Sequence, residues 1–200
     1  VSSSYTDPIS TFSTNIMGSI NLLQSCIKTK SIKNKIFVTS DKCYENNKWV
    51  WGYRETDQLG GIDPYSASKA STEIIFSSYL RSFISKNNKL GAASVRAGNV
   101  IGGGDWSRDR LVPDIIRSLT KFQPINLRNP KSTRPWQHVL EPLSGYILLA
   151  KKLYTQPKKY SGAWNFGPGN NDNISVENVA RKLAHHFGFG KIIINKQSNF

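Results

Sequence analysis

Tyr65 and Lys69 stand four residues apart in the segment Tyr65-Ser66-Ala67-Ser68-Lys69, at the start of a stretch with helical character. Side chains four apart lie on one face of a helix. An ammonium beside a phenol favours the phenolate, so such a pair can take a proton near neutral pH. The same spacing also occurs in solvated surface pairs. A second cluster, Ser40-Asp41-Lys42, follows the apolar run 35–38 (KIFV). A hydroxyl can hold a sugar hydroxyl, a carboxylic acid can protonate a leaving hydroxyl, and a desolvated Lys can act as a base. The alternative for this cluster is a strand-end turn with a solvated charge pair.

The elements that must position these groups alternate between helix-like and strand-like patterns, which predicts an α/β fold with a mainly parallel sheet. Pro8 opens a helical stretch to about Thr29, with Phe12, Ile16, Ile20, Leu23 and Ile27 at helical spacing. Residues 35–38 read as a buried strand, and 43–64 as an aromatic, glycine-bearing loop. A second long helix spans about 65–86 and a strand about 90–96, followed by a loop with Gly98, Gly102, Gly103 and Gly104. Further helices are predicted near 112–121, 142–154 and 176–187, and strands near 125–128, 164–166 and 191–195. In open α/β sheets ligands bind at the carboxyl ends of the strands. The polar clusters after Val38, after Arg96 and around Asn165 all fall there.

Composition excludes several classes. No apolar run approaches the roughly 20 residues of a membrane-spanning helix, and the first residues carry no signal-peptide pattern. Two cysteines and three histidines at these spacings make neither a disulfide framework nor a metal cage. Two reduced thiols and a cytoplasmic location are expected. A formal charge of +14 attracts phosphates of any kind. The basic residues are scattered, however, and no nucleic-acid-binding motif is present, so nucleic acid is not an expected partner. Lys28, Lys30, Lys33, Lys35, Lys158 and Lys159 read as a solvated surface.

Longer blocks carry a resemblance. Ser40–Asn46 (SDKCYEN), 49–55 (WVWGYRE), 63–66 (DPYS) and 96–106 (RAGNVIGGGDW) are four of them. Others are 109–114 (DRLVPD), 134–146 (RPWQHVLEPLSGY) and 165–168 (NFGP). Together they resemble the extended short-chain dehydrogenase/reductase superfamily, within it the NAD-dependent epimerase/dehydratases, and most closely the CDP-glucose 4,6-dehydratase family. The resemblance implies a partial Rossmann-type doubly wound parallel sheet with a smaller, interleaved substrate-binding region. It places the catalytic part of the cofactor domain in residues 1–106 and the nucleotide-sugar-binding region mainly in 107–200.

The implied reaction is an internal redox dehydration with NAD as cofactor. Tyr65, with Lys69 and Ser40, takes the proton of the glucose 4-hydroxyl while hydride passes from C4 to NAD; these three residues are also the expected cofactor contacts. The 4-ketone acidifies C5, a base removes its proton, and the 6-hydroxyl leaves as water with Asp41 as acid. Hydride then returns to C6. Related dTDP-glucose dehydratases carry Glu where Lys42 stands, so Lys42 is the expected C5 base, with burial lowering its pKa. Asn99 matches a position that holds the sugar-nucleotide diphosphate, and Arg134 one that reaches the nucleotide phosphates or ribose; Arg110 is a second candidate for that task. Trp49, Trp51, Trp106 and Trp136 are candidates for lining the cytosine and sugar site, or for packing. Asn15 matches an Asn that helps order the active site. The two long helices match those through which relatives form homodimers.

One departure stands out. The family's glycine-rich βα turn for the NAD pyrophosphate is not found, since Gly102-Gly103-Gly104 follows the catalytic helix. The expectation is a chain that starts after the family's first strands, exposes an apolar sheet edge, tends to aggregate and does not turn over alone. Alternatives are another nucleotide-sugar epimerase or dehydratase, or a non-catalytic sugar-nucleotide binder.

Overall fold

The computed structural model describes residues 1–87, 89–169 and 173–194. In chain order the elements begin with α1 (Ser2–Thr6), α2 (Pro8–Phe12), a π-helical turn (Ser13–Met17), α3 (Gly18–Lys28) and β1 (Asn34–Val38). A 3-10 turn (Asp41–Cys43) leads to α4 (Pro64–Tyr79), a second π turn (Leu80–Ile84), β2 (Gly91–Ala97), β3 (Val100–Ile101) and α5 (Leu111–Thr120). Then come β4 (Ile125–Leu127), β5 (Thr133–Pro135), β6 (Gln137–His138), α6 (Leu140–Thr155) and α7 (Pro157–Tyr160). The series closes with β7 (Gly162–Phe166), β8 (Asn173–Ser175), α8 (Val176–Phe187) and β9 (Ile192–Ile194).

Local chemistry sets the helix ends. Asp7 caps α2 by accepting from Ser10 N at 2.9 Å, with Pro8 in the first turn, where its missing N–H costs nothing. Ser175 caps α8 in the same manner, and Gly188 ends it at φ 85°, a conformation that L side chains rarely adopt.

The chain divides into two compact units. The first comprises Val1–Gly98 and Leu140–Phe166, the second Asn99–Val139 and Gly167–Phe200. In the first, β1, β2 and β7 form a parallel sheet in the order β1-β2-β7. Alternation along β1 and β2 sorts side chains to two faces. Phe37 and Ala92 pack with Leu23 of α3, Phe76 of α4 and Ile84. On the other face Ile36, Ala93 and Val95 pack with Leu149 and Leu153 of α6. Helices thus cover both faces, the doubly wound arrangement expected of the sequence. In the second unit, α5 and α8 close over the parallel pair β4–β9 through Ile115, Leu119, Ile125, Leu127, Ala180 and Ala184. The pairs β3–β6 (parallel) and β5–β8 (antiparallel) complete it.

The predicted elements are present within a few residues, with three differences. The long helices carry π turns, which a 3.6-residue periodicity does not reveal. The short elements α1, α7, β3, β5, β6 and β8 are not predicted, because a few residues hold no readable period. The chain also leaves the first unit at Gly98, not near residue 106, and re-enters it for 140–166. The central strand β2 needs a second neighbour, and β7 supplies it. The predicted last strand ends at Ile194, and Asn195 lies outside the described residues. Among the described residues no helix is long and apolar enough to cross a membrane.

Lys35 is a correction. Read as a solvated lysine, it is only 5% exposed, and its Nζ has no partner among the described residues. It shares a strand face with Phe37, so it points under the helical layer near Cys26. Burial pushes its amine below the ordinary value, against the opposing pull of Cys26. The penalty for the charged amine acts below the folded-state pKa and is relieved as pH climbs towards the ordinary lysine range. Lys35→Met should therefore raise the unfolding free energy near neutral pH by about 1–3 kcal/mol, with a smaller gain at alkaline pH, as read by urea unfolding.

Candidate active site

All five predicted catalytic residues lie in the first unit, where β1 ends and α4 begins. Ser40 is extended at φ −166° and caps the 3-10 turn, its Oγ accepting from Lys42 N at 3.2 Å and donating to Asp41 Oδ1 at 3.2 Å. The turn sends successive side chains in different directions. Cys43 is fully buried, Asp41 is half-buried and Lys42 is exposed. The expected burial of Lys42 is therefore not seen, because Cys43 takes the inward position.

The turn packs directly against α4. Cys43 and Tyr44 meet Ala70, the residue after Lys69, with Tyr53 and Leu59 around them. Burial pushes the Cys43 thiol up to about 12, despite the opposing charge of Arg96. The other side of α4's first turn is closed by Gly61, where a Cβ would lie 2.4 Å from the Ala67 nitrogen. Asp63 caps the helix through Ser66 N at 3.0 Å and Ser66 Oγ at 2.6 Å. Partial burial works to raise its carboxyl pKa, but the Ser66 bonds and the Lys42 charge outweigh it and hold the group below its usual range.

Tyr65 and Lys69 share one helix face, with Lys69 Nζ 5.7 Å from the Tyr65 ring centroid. Both are half-buried, and burial lowers the Lys69 amine from its ordinary value. A cavity of about 240 Å³ adjoins Lys69, lined also by Thr14, Asn15, Val38 and Thr72. Asn15 Nδ2 donates to Ser68 Oγ at 2.8 Å, which ties α4 to the first π turn. Within that turn the Asn15 carbonyl accepts from Ser19 Oγ (2.6 Å) and Thr72 Oγ1 (3.2 Å). A π turn redirects a backbone carbonyl out of the regular ladder, and such turns recur at functional sites.

The predicted substrate residues all fall in the second unit, and they are not clustered. Arg134 lines a cavity of about 560 Å³ together with Arg117, Lys121, Arg128, Asp109 and Asp114. Asn99 and Arg110 are not among its lining residues. Asn99 receives Gln137 N on its carbonyl at 3.1 Å, and Arg110 pairs with Asp105 at 2.7 Å on the surface. Arg117, Lys121 and Arg128 were missed in the sequence. The first two lie four apart, Arg117 in the last turn of α5 and Lys121 at its C-cap, a spacing that signals one basic face. Trp136 anchors β5–β8 by donating to Ile174 O, whereas Trp106 and Trp51 are mostly exposed. Trp49 packs between Trp51 and Tyr53 with tilted rings, centroids 5.2 and 5.1 Å away.

Two measurements check this geometry. Asp63→Ala should cost about 0.5–2 kcal/mol of stability near neutral pH. A carboxyl held below its unfolded value stabilises above that value, so the difference should vanish as pH falls through the acid range below about 4. Native alkylation at pH 8 should leave Cys43 unmodified until the chain unfolds, as mapped by peptide mass spectrometry.

Comparison with known proteins gives the geometry its context. The chain is 52% identical over 189 residues to a CDP-glucose 4,6-dehydratase of Salmonella typhimurium, a match covering 92% of this chain and 53% of that protein. It therefore spans about half the length of that relative. A UDP-N-acetylglucosamine 4-epimerase of Methanobrevibacter ruminantium superposes with a TM-score of 0.81 at 20% identity, over 100% of this chain and 62% of that one. A dTDP-glucose 4,6-dehydratase of Streptomyces venezuelae, solved with NAD bound, gives 0.80 at 19% identity, over 98% and 58%. At such identities these two likenesses establish the fold, a Rossmann-like α/β arrangement. Residues 1–184 match the NAD dependent epimerase/dehydratase family, and the chain belongs to it.

Proposed function

We propose that the protein carrying this chain dehydrates CDP-glucose to CDP-4-keto-6-deoxyglucose, with NAD as cofactor. The observation that carries this reading is the docking of the Ser40-Asp41-Lys42 turn onto the helix bearing Tyr65 and Lys69. A 4-epimerase needs one acid–base group at O4; an added acid and amine beside it suit elimination across C5 and C6.

Tyr65 takes the proton from the 4-hydroxyl, and the Lys69 ammonium stabilises the phenolate that results. Ser40 Oγ orients the same hydroxyl. Asp41 protonates the departing 6-hydroxyl, and Lys42 removes the C5 proton and gives it back to C5 as hydride reaches C6. Arg134, at the rim of a cavity rich in Arg and Lys, suits a nucleoside diphosphate; Asn99 and Arg110 are secondary contacts from the same unit.

The partly desolvated Lys69 beside its 240 Å³ cavity fits the nicotinamide ribose, whose hydroxyls Tyr65 and Lys69 would hold with Ser40 nearby. Bound there, NAD supplies a hydride acceptor at C4 and a donor at C6. Large apolar side chains stand exposed on α2, α3 and α4, among them Ile9, Leu22 and Ile74, which supports a homodimer through these helices.

Turnover of CDP-glucose by the complete natural polypeptide with NAD is the test, with UDP-, dTDP- and GDP-glucose alongside. The expected product has lost one water and carries a 4-ketone, with deuterium from C4 recovered at C6. Tyr65→Phe should lower kcat about 10²–10⁴-fold. A C4 epimer of unchanged mass would overturn the reading.

A further inference from the structure

Glu73 lies four residues after Lys69 and eight after Tyr65, so the three share one face of α4. Glu73 is 2% exposed and faces the sheet. Its carboxylate accepts from Thr39 Oγ1 at the end of β1, from Ser94 Oγ in β2 at 2.8 Å, and from Arg96 Nη2 in β2 at 2.6 Å. Arg96, 4% exposed, also donates to Tyr44 OH at 2.6 Å and to the Glu55 carbonyl at 3.2 Å. Tyr44 OH in turn donates to Asn165 Oδ1 in β7 at 2.7 Å. Asn165 in turn holds the loop, its N meeting Glu55 Oε1 at 2.8 Å and its Nδ2 meeting Tyr53 O at 2.9 Å. One connected set of bonds, buried around Glu73 and Arg96 and opening towards the surface at Asn165, therefore ties the catalytic helix to the carboxyl ends of all three strands. Its two outlets are Thr39, the residue before Ser40, and Tyr44, the residue after the Asp41–Cys43 turn.

We infer that Glu73, Arg96 and Tyr44 are positioning residues for the dehydration, fixing the axial and rotational setting of Tyr65 and Lys69 against Ser40 and Asp41. This inference rests on the dehydratase reading of the site. The turn is gripped on both sides by groups bonded to one ion pair, whose other attachment is the catalytic helix. A sub-ångström slide of α4 would break several short bonds at once, so the pair resists such slides. Its composition agrees with a geometric task. Arg96 Nε is buried without a partner among the described residues, an arrangement poorly suited to stability alone.

Tyr44→Phe is the test, because it deletes one oxygen from the network and leaves the ring stacked on Tyr53. Tyr53→Phe is the control, since that hydroxyl receives Asn47 N outside the network. In the complete natural polypeptide, Tyr44→Phe should lower kcat about tenfold with KM for CDP-glucose unchanged within about twofold. Amides of residues 39–44 should exchange with deuterium several-fold faster while global melting moves little. Tyr53→Phe should change none of these. Arg96→Lys keeps the charge but loses the fork, and it should reproduce the kcat effect.

Unchanged kcat and exchange in Tyr44→Phe, or losses matched by Tyr53→Phe, would overturn the inference. If the wild-type protein dehydrates no nucleotide sugar, the functional reading falls and the exchange data decide for the network alone. Unaltered protection of 39–44 would then sink it too.

Discussion

Glu73 and Arg96 form an ion pair removed from water, at 2.6 Å, in the layer between α4 and β2. Burial works against the Arg96 cation, and the hydrogen bond and charge of Glu73 overcome it, holding the guanidinium above its ordinary pKa. Taking charges out of water costs several kcal/mol per ion, and removal of one partner from such a pair typically costs about 3–5 kcal/mol. Apolar residues of similar volume often serve stability as well or better. What they cannot do is specify direction. A packed hydrophobic layer tolerates small slides; a carboxylate with three donors at hydrogen-bond length does not. Through this pair α4 and the loop from 43 to 64 are tied to the parallel sheet.

The rest of the first unit follows from that constraint. With α4 set by Glu73, the first turn of the helix is closed by Asp63 and by the close approach of Gly61, which leaves no room for a side chain. Cys43 and Tyr44 then fill the space against Ala70, and the polar residues just before them are turned outwards. Burial raises the Tyr44 phenol, against the Arg96 hydrogen bond, so it remains a neutral donor to Asn165. Lys69 and Lys42 therefore occupy unlike surroundings although both are lysines of the candidate site. Burial lowers the amine of the first, while the second stands in solvent.

The second unit follows a different logic. Its apolar core of α5, α8 and the β4–β9 pair is ordinary, and its cavity is lined by cations held in place by aspartates. Asp114 meets Arg117, and Asp109 meets Arg128 at 3.2 Å. Arg117 also donates to Trp106 O at 2.8 Å, which fixes its direction. Four cations line this cavity, Arg117 and Arg128 of them oriented by aspartates, while most of the chain's excess positive charge lies elsewhere. The scattered lysines elsewhere contribute only to the general field.

Residue order alone determined much of this protein, because local rules decide it. Pro8 after Asp7 and Pro64 after Asp63 mark helix starts, the run at 35–38 marks a strand, and Tyr65 with Lys69 occupy one helical face by period alone. The long blocks around Ser40 and Arg134 carried the family. Tertiary structure alone decided which charges would meet. Glu73, Arg96 and Asn165 lie on three elements far apart in the chain, and nothing in their spacing announces a shared network. Lys35 and Lys42 look alike in sequence; one is buried by strand alternation beneath a helix, the other is turned out by a 3-10 turn. The π turns and the return of β7 beside β2 belong to the same class. Such outcomes depend on which surfaces exclude water, and that is settled only when distant segments pack.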